Sequence, residues 1–196
     1  MGWLATRRAL ESRETLVPAT AGSGRTESSA AESLAMSEIL FRPIGVIHSR
    51  FQQQKGTPIQ SAMAGDAKGW IDLAPAYIPA LQDLQEFERI WILYCLDRAT
   101  DFKPLVTPYL DTCERGLFAT RSPARPNPIG MSVLRLLGID GGRIDLIGMD
   151  ILDGTPLLDI KPYVPDFDAF TSSQAGWFDR VRARETRADS RFDRAK

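Results

Sequence analysis

Two stretches of this sequence concentrate side chains capable of chemistry. The first, ATRSPARPNPIG at positions 119–130, sets Arg121, Arg125 and Asn127 among three prolines. Proline lacks an amide donor and fixes φ, so this segment is neither a helix interior nor a central strand. Yet apolar segments, GLFA and MSVLRLLGI, flank it on both sides. A rigid backbone lowers the entropy lost when arginines are held in place. A guanidinium fork matches a carboxylate or a phosphate. Asn127 both donates and accepts hydrogen bonds, which suits an amide or a base edge. These features predict a preorganised anion clamp. PARP within the stretch also satisfies PxxP, the pattern of polyproline ligands. That reading fits poorly, because such ligands lie in disordered tails and this segment joins two core strands.

The second stretch is LDGTPLLDIKPY at 152–163. Asp153 and Gly154 form a strong turn signal. Downstream, Asp159, Lys161 and Tyr163 recur at period two, so in a strand they share one face while Leu158, Ile160 and Pro162 take the other. An acid, a lysine and a tyrosine on one face exceed what a turn requires; an inward-facing ion pair is the structural alternative. GTPIQ (56–60) is either a ligand-gating loop or merely a loop. Asp97 and Arg98 stand at a strand end, as a site or as a surface ion pair. His48 is the single histidine and is expected to be exposed or satisfied rather than catalytic. There is no GxGxxG, P-loop, HExxH or GxSxG, so a dinucleotide or ATP site of the usual kind is not supported.

These residues need elements to position them. FRPIGVIHS (41–49) alternates and is rich in β-branched residues, which predicts a strand. A long polar loop follows at 51–69, of the length that usually carries function or motion. WIDLA (70–74) predicts a short strand. PAYIPALQDLQEFER (75–89) places Tyr77, Leu81 and Leu84 at helical spacing and predicts a short amphipathic helix. RIWILYCLD (89–97) predicts a buried strand. SVLRLLGI and RIDLIGMDIL predict two more, joined by a hairpin at DGG (140–142), and PLLDIKPYVP (156–165) a last one. Strands joined by turns and loops indicate a mainly β chain: a small antiparallel β-barrel or sandwich with one or two short helices, not a doubly wound sheet.

Composition narrows the setting. The chain has 196 residues, 43% hydrophobic and 25% charged, with a net charge of -1. That suits one domain with tails and does not by itself call for nucleic acid or membrane, although a local basic patch remains open. Cys95 and Cys113 form no CxxC and have one histidine for company, so no zinc site, no other metal and no disulfide framework is expected. A reducing cytoplasm is the plain reading, and no apolar run is long enough to span a membrane. Residues 1–37 are small, polar and aperiodic and are expected to be a disordered extension; they carry no secretory h-region, and Met36 is a candidate true start. The barrel domain is expected at 38–170. Residues 171–196 form a charged tail, with seven basic and four acidic residues after Phe178, expected to be helical or disordered and a weaker candidate for RNA contact.

Taken together, FATRSPARPNPIGMS, LDGTPLLDIKPYVP, IGVIHS and FERIWILYCLD resemble the TsaA-like family of tRNA N6-threonylcarbamoyladenosine methyltransferases, in its short form. The likeness runs from about Phe41 to Phe167. It implies a small β-barrel that pairs into a homodimer, binds S-adenosylmethionine and methylates N6 of threonylcarbamoyladenosine beside the tRNA anticodon. It implies cofactor contacts at Pro58, Ile59, Gln60, Asp97, Arg98, Arg121, Met131, Asp153, Gly154 and Thr155. The sequence departs from the longer form by its N-terminal extension, by lacking the extra C-terminal domain, and by Asp97–Arg98 in place of a His–Gln pair.

Methyl transfer is an in-line displacement, so positioning supplies much of the acceleration. The N6 lone pair is delocalised into the carbamoyl group, and removing its proton calls for a base. Asp159 is the expected base, with Lys161 orienting the threonyl carboxylate and Tyr163 stacking or hydrogen-bonding. Arg125 and Asn127 are expected to hold substrate. Two other readings remain: an RNA-binding barrel without chemistry, suggested by the arginine loop and basic tail, and a methyltransferase of the same fold with a small non-RNA acceptor.

Overall fold

In a computed structural model, the protein is described at residues 39–181 and 186–193. The expected disordered extension at 1–37 and the candidate start at Met36 lie outside the described residues. Alternation of apolar and polar side chains produces six principal strands: β1 (Gly45–Ser49), β2 (Lys68–Leu73), β3 (Arg89–Cys95), β6 (Ile129–Asp140), β7 (Arg143–Ile147) and β8 (Thr155–Pro162). Two short strands, β4 (Leu105–Val106) and β5 (Arg115–Gly116), pair with each other. The six close into an antiparallel barrel in the order β1-β2-β7-β6-β3-β8. Ile47, Ile71, Ile90, Ile92, Leu134, Ile144, Leu146 and Leu157 fill its interior, each contributing about 1.5–3 kcal/mol through burial. Closure leaves none of these six strands with an unpaired edge. Among the described residues no helix is long and apolar enough to cross a membrane.

The hairpin expected at DGG is present, with Asp140 opposite Arg143 and Gly141 at φ +56. The helix expected over 75–89 is not. Its place is taken by two short 3₁₀ turns, Pro75–Leu81 and Leu84–Glu86. Pro79 inside the first turn removes a helical donor, and Asp83 between them adopts φ 64, so an α-helix cannot propagate. Among the described residues the one α-helical piece is α1 (Pro165–Asp168). RIDLIGMDIL is also not one strand: β7 ends at Ile147, and Gly148 turns the chain with φ +89.

A β-bulge decides which way β8 shows its charges. Leu93 pairs with Asp159 and Tyr94 with Leu157, so Leu158 has no opposite partner on β3. Before the bulge Thr155 and Leu157 face the interior; after it Ile160 packs on the core. Asp159 and Lys161 therefore face outward.

A second, smaller core forms beside the barrel from Val106, Leu117, Ala124 and Phe192, with Tyr109 packed on it. Ala124 belongs to the proline loop and Phe192 to the C-terminal segment, so this core ties both to the barrel. The segment expected to be a helical or disordered charged tail instead makes a 3₁₀ turn at Gly176–Arg180 and returns to bridge Pro58 through Arg187 and Ala99 through Asp193.

Candidate active site

Register brings one set of strand ends together. Tyr94 and Cys95 at the end of β3 pair with Gly130 and Ile129 at the start of β6, while Tyr94 also meets Leu157 near the start of β8. Ile47 in the middle of β1 pairs with Thr155 at the start of β8. A cleft of about 450 Å³ opens at this rim. Pro58, Ile59, Gln60, Asp97, Arg98, Arg121, Met131 and Thr155 all line it, and so do Arg125 and Asn127. The chain thus gathers at one place residues that lie as far apart in sequence as Pro58 and Thr155. Ala188 and Asp193, from the C-terminal segment, complete the wall.

Each part of the cleft is held by local chemistry. Arg121 donates to Gln60 Oε1 at 2.5 Å, joining the proline loop to the 58–60 loop. Arg125 is turned into its own loop: its guanidinium donates to the carbonyls of Ser122, at 3.0 Å, and of Thr120. It also lies 5.9 Å from the Phe118 ring centre. The arginine thus braces the loop as well as facing the cleft. Ala124 is fully buried, so the PxxP sequence is a folded wall and not a free ligand. Arg98 approaches Asp97 at 3.8 Å and donates to the Asp153 carbonyl.

Asp153 and Gly154 sit behind the cleft rather than on its surface. Gly154 takes φ +78, which only glycine adopts cheaply. The Asp153 carboxylate accepts from the Ser49 amide at 3.1 Å and lies 3.2 Å from His48 Nδ1. Burial alone would raise its pKa, but hydrogen bonds from the Ser49 amide, Gln52 and His48 outweigh that and hold the carboxyl below the usual range. His48 is therefore not alone: its other nitrogen lies 3.2 Å from Asp72, and its ring stacks on Trp70 at 5.0 Å.

The other expected residues are placed elsewhere. Asp159 and Lys161 form an ion pair at 2.8 Å, with 44% and 61% of their side chains exposed. Tyr163 lies 6.0 Å from Trp91, ring centre to ring centre, and borders a separate recess with Ser61, Arg89 and Arg135. None of the three lines the cleft.

The cleft also contains a group that sequence reasoning missed. Gly148 ends β7, and the chain then buries Met149 and Ile151 fully or nearly so. Asp150, between them, faces the cleft. Ser132 Oγ donates to Asp150 Oδ1 at 2.8 Å, and Tyr94 Oη lies 3.1 Å from Ser132 Oγ. Burial pushes the Asp150 carboxyl up to about 6, partly offset by Ser132, by the backbone amides of Asp150 and Ser61, and by Arg121. Burial, followed by the charge of Asp150, raises Tyr94 well above the usual phenol range. Gly130 makes room for the Tyr94 ring: a Cβ there would lie 2.2 Å from Tyr94 Cε2. In sequence, Asp150 lay hidden within what reads as one apolar strand; the glycine before it was the available signal. Among the described residues no cluster of His, Cys, Asp and Glu is suited to a metal ion.

A model of the tRNA-methyltransferase O N-terminal domain matches residues 46–169. That span takes in both motifs and all of the barrel's strand residues but Gly45. The chain belongs to this family. It is 46% identical over 156 residues to a probable S-adenosyl-L-methionine-binding protein of Pyrococcus abyssi, covering 79% of this chain and 85% of that one. It is 35% identical over 144 residues to the tRNA (adenine(37)-N6)-methyltransferase of Mus musculus, covering 70% of this chain but 33% of the mouse protein. The crystal structure of TrmO from Pseudomonas aeruginosa superposes with a TM-score of 0.60 at 39% identity, covering 71% of this chain and 62% of that one. This member of the tRNA-methyltransferase O N-terminal domain family thus spans most of the archaeal relative and about a third of the mouse one.

The cleft fits S-adenosyl-L-methionine on its own chemistry. Ile59, Met131, Ile151 and Leu152 supply apolar walls for an adenosyl group, Arg121 a fork for a carboxylate, and Asp97 and Asp193 negative charge for an ammonium and a sulfonium.

Proposed function

We propose that this chain is an S-adenosyl-L-methionine-dependent methyltransferase that modifies N6 of adenosine 37 in tRNA, acting on its threonylcarbamoyl form. The observation that carries the reading is the rim cleft, which collects Pro58–Gln60, Asp97–Arg98, Arg121, Met131 and Thr155 from four separate segments in a chain whose relatives are named for S-adenosyl-L-methionine binding and tRNA (adenine(37)-N6)-methylation.

When bound, S-adenosyl-L-methionine supplies a methyl group already activated by its sulfonium. The chain's residues have the work of placement. Arg121, steadied by Gln60, holds the carboxylate end. Asp97 and Asp193 face the cationic groups. Asn127 offers a donor and an acceptor to the acceptor base. Arg125 keeps the loop in shape as well as facing the cleft. Asp159, Lys161 and Tyr163 lie outside the cleft and are given no part in the transfer.

A surface beside the cleft favours RNA over a small acceptor. A recess of about 570 Å³ shares Ile59, Gln60, Tyr109 and Arg121 with the cleft and is walled by Phe118, Trp177, Phe178 and Phe192. Phe118 is 79% exposed, and Arg115 lies 5.9 Å from the Trp177 ring centre. Aromatic faces with adjacent guanidiniums suit unpaired bases next to the target nucleotide. The enzyme is proposed to act in the cytoplasm, where its tRNA is, and as a homodimer, which the mass of the protein in solution tests. For the activity itself, the purified chain is incubated with methyl-labelled S-adenosyl-L-methionine and tRNA carrying threonylcarbamoyladenosine. Label is expected in the N6-methylated nucleoside after digestion; label absent from RNA contradicts the reading.

A further inference from the structure

We propose that Asp150 is the proton acceptor for N6 of the adenine during methyl transfer. The inference rests on the function proposed above and assigns the one step that placement alone does not supply. The acceptor nitrogen carries a proton, and its lone pair is shared with the carbamoyl carbonyl, so a base must act as the new bond forms.

The other carboxylates are committed or misplaced. Asp153 is turned away toward His48 and the Ser49 amide. Asp159 faces outward and is paired with Lys161. Asp97 is 42% exposed and lies beside Arg98. Asp193 sits on the C-terminal wall. Asp150 alone among the described carboxylates is both enclosed and open to the cleft, set between buried Met149 and Ile151.

Its surroundings suit a base. Ser132 gives its hydroxyl proton to Asp150, which leaves Tyr94 to donate to Ser132. Two hydroxyls in series thus point their protons toward the carboxylate and hold its orientation. The charged and titratable groups that face it are Tyr94 and Arg121. Tyr94 stays protonated because burial raises its pKa, and Arg121 is a fixed cation. The result is a carboxylate pushed up to about 6, a stronger base than a surface aspartate yet ionised near neutral pH.

The N6 proton passes to a carboxylate oxygen of Asp150. The nitrogen pair forms the N–CH₃ bond, and the pair of the breaking CH₃–S bond goes to sulfur. A sulfonium, a neutral N–H and a carboxylate become a thioether, an N-methyl and a carboxylic acid, which then loses its proton to water.

Turnover at saturating S-adenosyl-L-methionine and tRNA, measured across pH, tests the assignment. The parent chain is expected to show an acidic limb with a midpoint near that of Asp150. Asp150→Asn is expected to lower turnover by at least about 100-fold and to abolish the limb, with the dissociation constant for S-adenosyl-L-methionine nearly unchanged. Ser132→Ala removes a hydrogen bond that favours the ionised carboxylate, so the limb is expected to move to higher pH; a purely structural role would not move it. The second variant carries the test should the first fail to fold. Parental turnover and an unaltered limb in either variant would overturn the assignment, as would a loss that higher S-adenosyl-L-methionine fully restores. Failure of the parent chain to methylate the tRNA would instead strike down the function, and this role with it.

Discussion

At the scale of single residues, the cleft separates groups that look alike in sequence. Asp150, Asp153 and Asp159 lie within ten positions of one another, yet each has a different environment. Asp153 is held low by its donors and serves the turn. Asp159 is an exposed partner of Lys161. Asp150 is held high by burial. A group whose folded pKa exceeds its unfolded value stabilises the fold most when protonated, so its contribution declines as pH rises from the unfolded pKa through the folded one. For Asp150 that window runs from 3.8 to about 6, and the shift corresponds to roughly 3 kcal/mol of strain carried at neutral pH. The prediction is a double difference. The melting temperature of Asp150→Asn relative to the parent should rise as pH increases across that window and then level off. Melting curves at several pH values check this; a flat difference would mean that Asp150 is not held high. Asp159→Asn is expected to lower turnover far less than Asp150→Asn, and the two kcat values compared decide between these carboxylates.

At the scale of elements, loops tied to a closed barrel form the working surface. β-strand alternation was plain in the sequence, and so was the DGG hairpin. The bulge at Leu158 was not, because a one-residue slip leaves the apolar pattern of PLLDIKP unchanged while shifting its inward phase. Gly148 was equally hard to read, since a lone glycine in an apolar run marks either a bulge or a strand end. In the C-terminal segment, seven basic and four acidic residues after Phe178 obscure one buried aromatic, Phe192, that docks it. Phe192→Ala is therefore expected to cost about 3–5 kcal/mol of stability in that small core and to weaken S-adenosyl-L-methionine, because Ala188 and Asp193 line the cleft. Chemical denaturation and a binding titration check both effects. Phe118→Ala touches no part of the barrel core. It is expected to raise KM for tRNA by about 10-fold through lost base stacking, with cofactor affinity retained. An unchanged KM would remove the aromatic recess from the RNA surface.

At the scale of the whole molecule, a barrel with little net charge, -1 over 196 residues, offers RNA no global attraction. On the proposed reading, local charge takes its place: Arg115, Arg121 and Arg125 stand beside an aromatic recess and a cleft. The proline loop was legible as a working surface, because three prolines are unnecessary in a segment that merely packs; of the second motif only Leu152 and Thr155 reach the cleft, because the bulge turns Asp159 and Lys161 outward. The family resemblance grouped residues 58–60, 97–98, 121, 131 and 153–155 without a geometry; strand register, with the loops it anchors, brings 58–60, 94–98, 121–131 and 150–155 around one cavity and adds Asp150 to it. The claim that this cavity methylates tRNA is tested most directly by the mass of the hypermodified adenosine in threonine tRNA from cells with and without the gene. Deletion is expected to remove one methyl group from that nucleoside, and the parent gene, but not its Asp150→Asn form, is expected to restore it. An unchanged nucleoside mass on deletion would contradict the account.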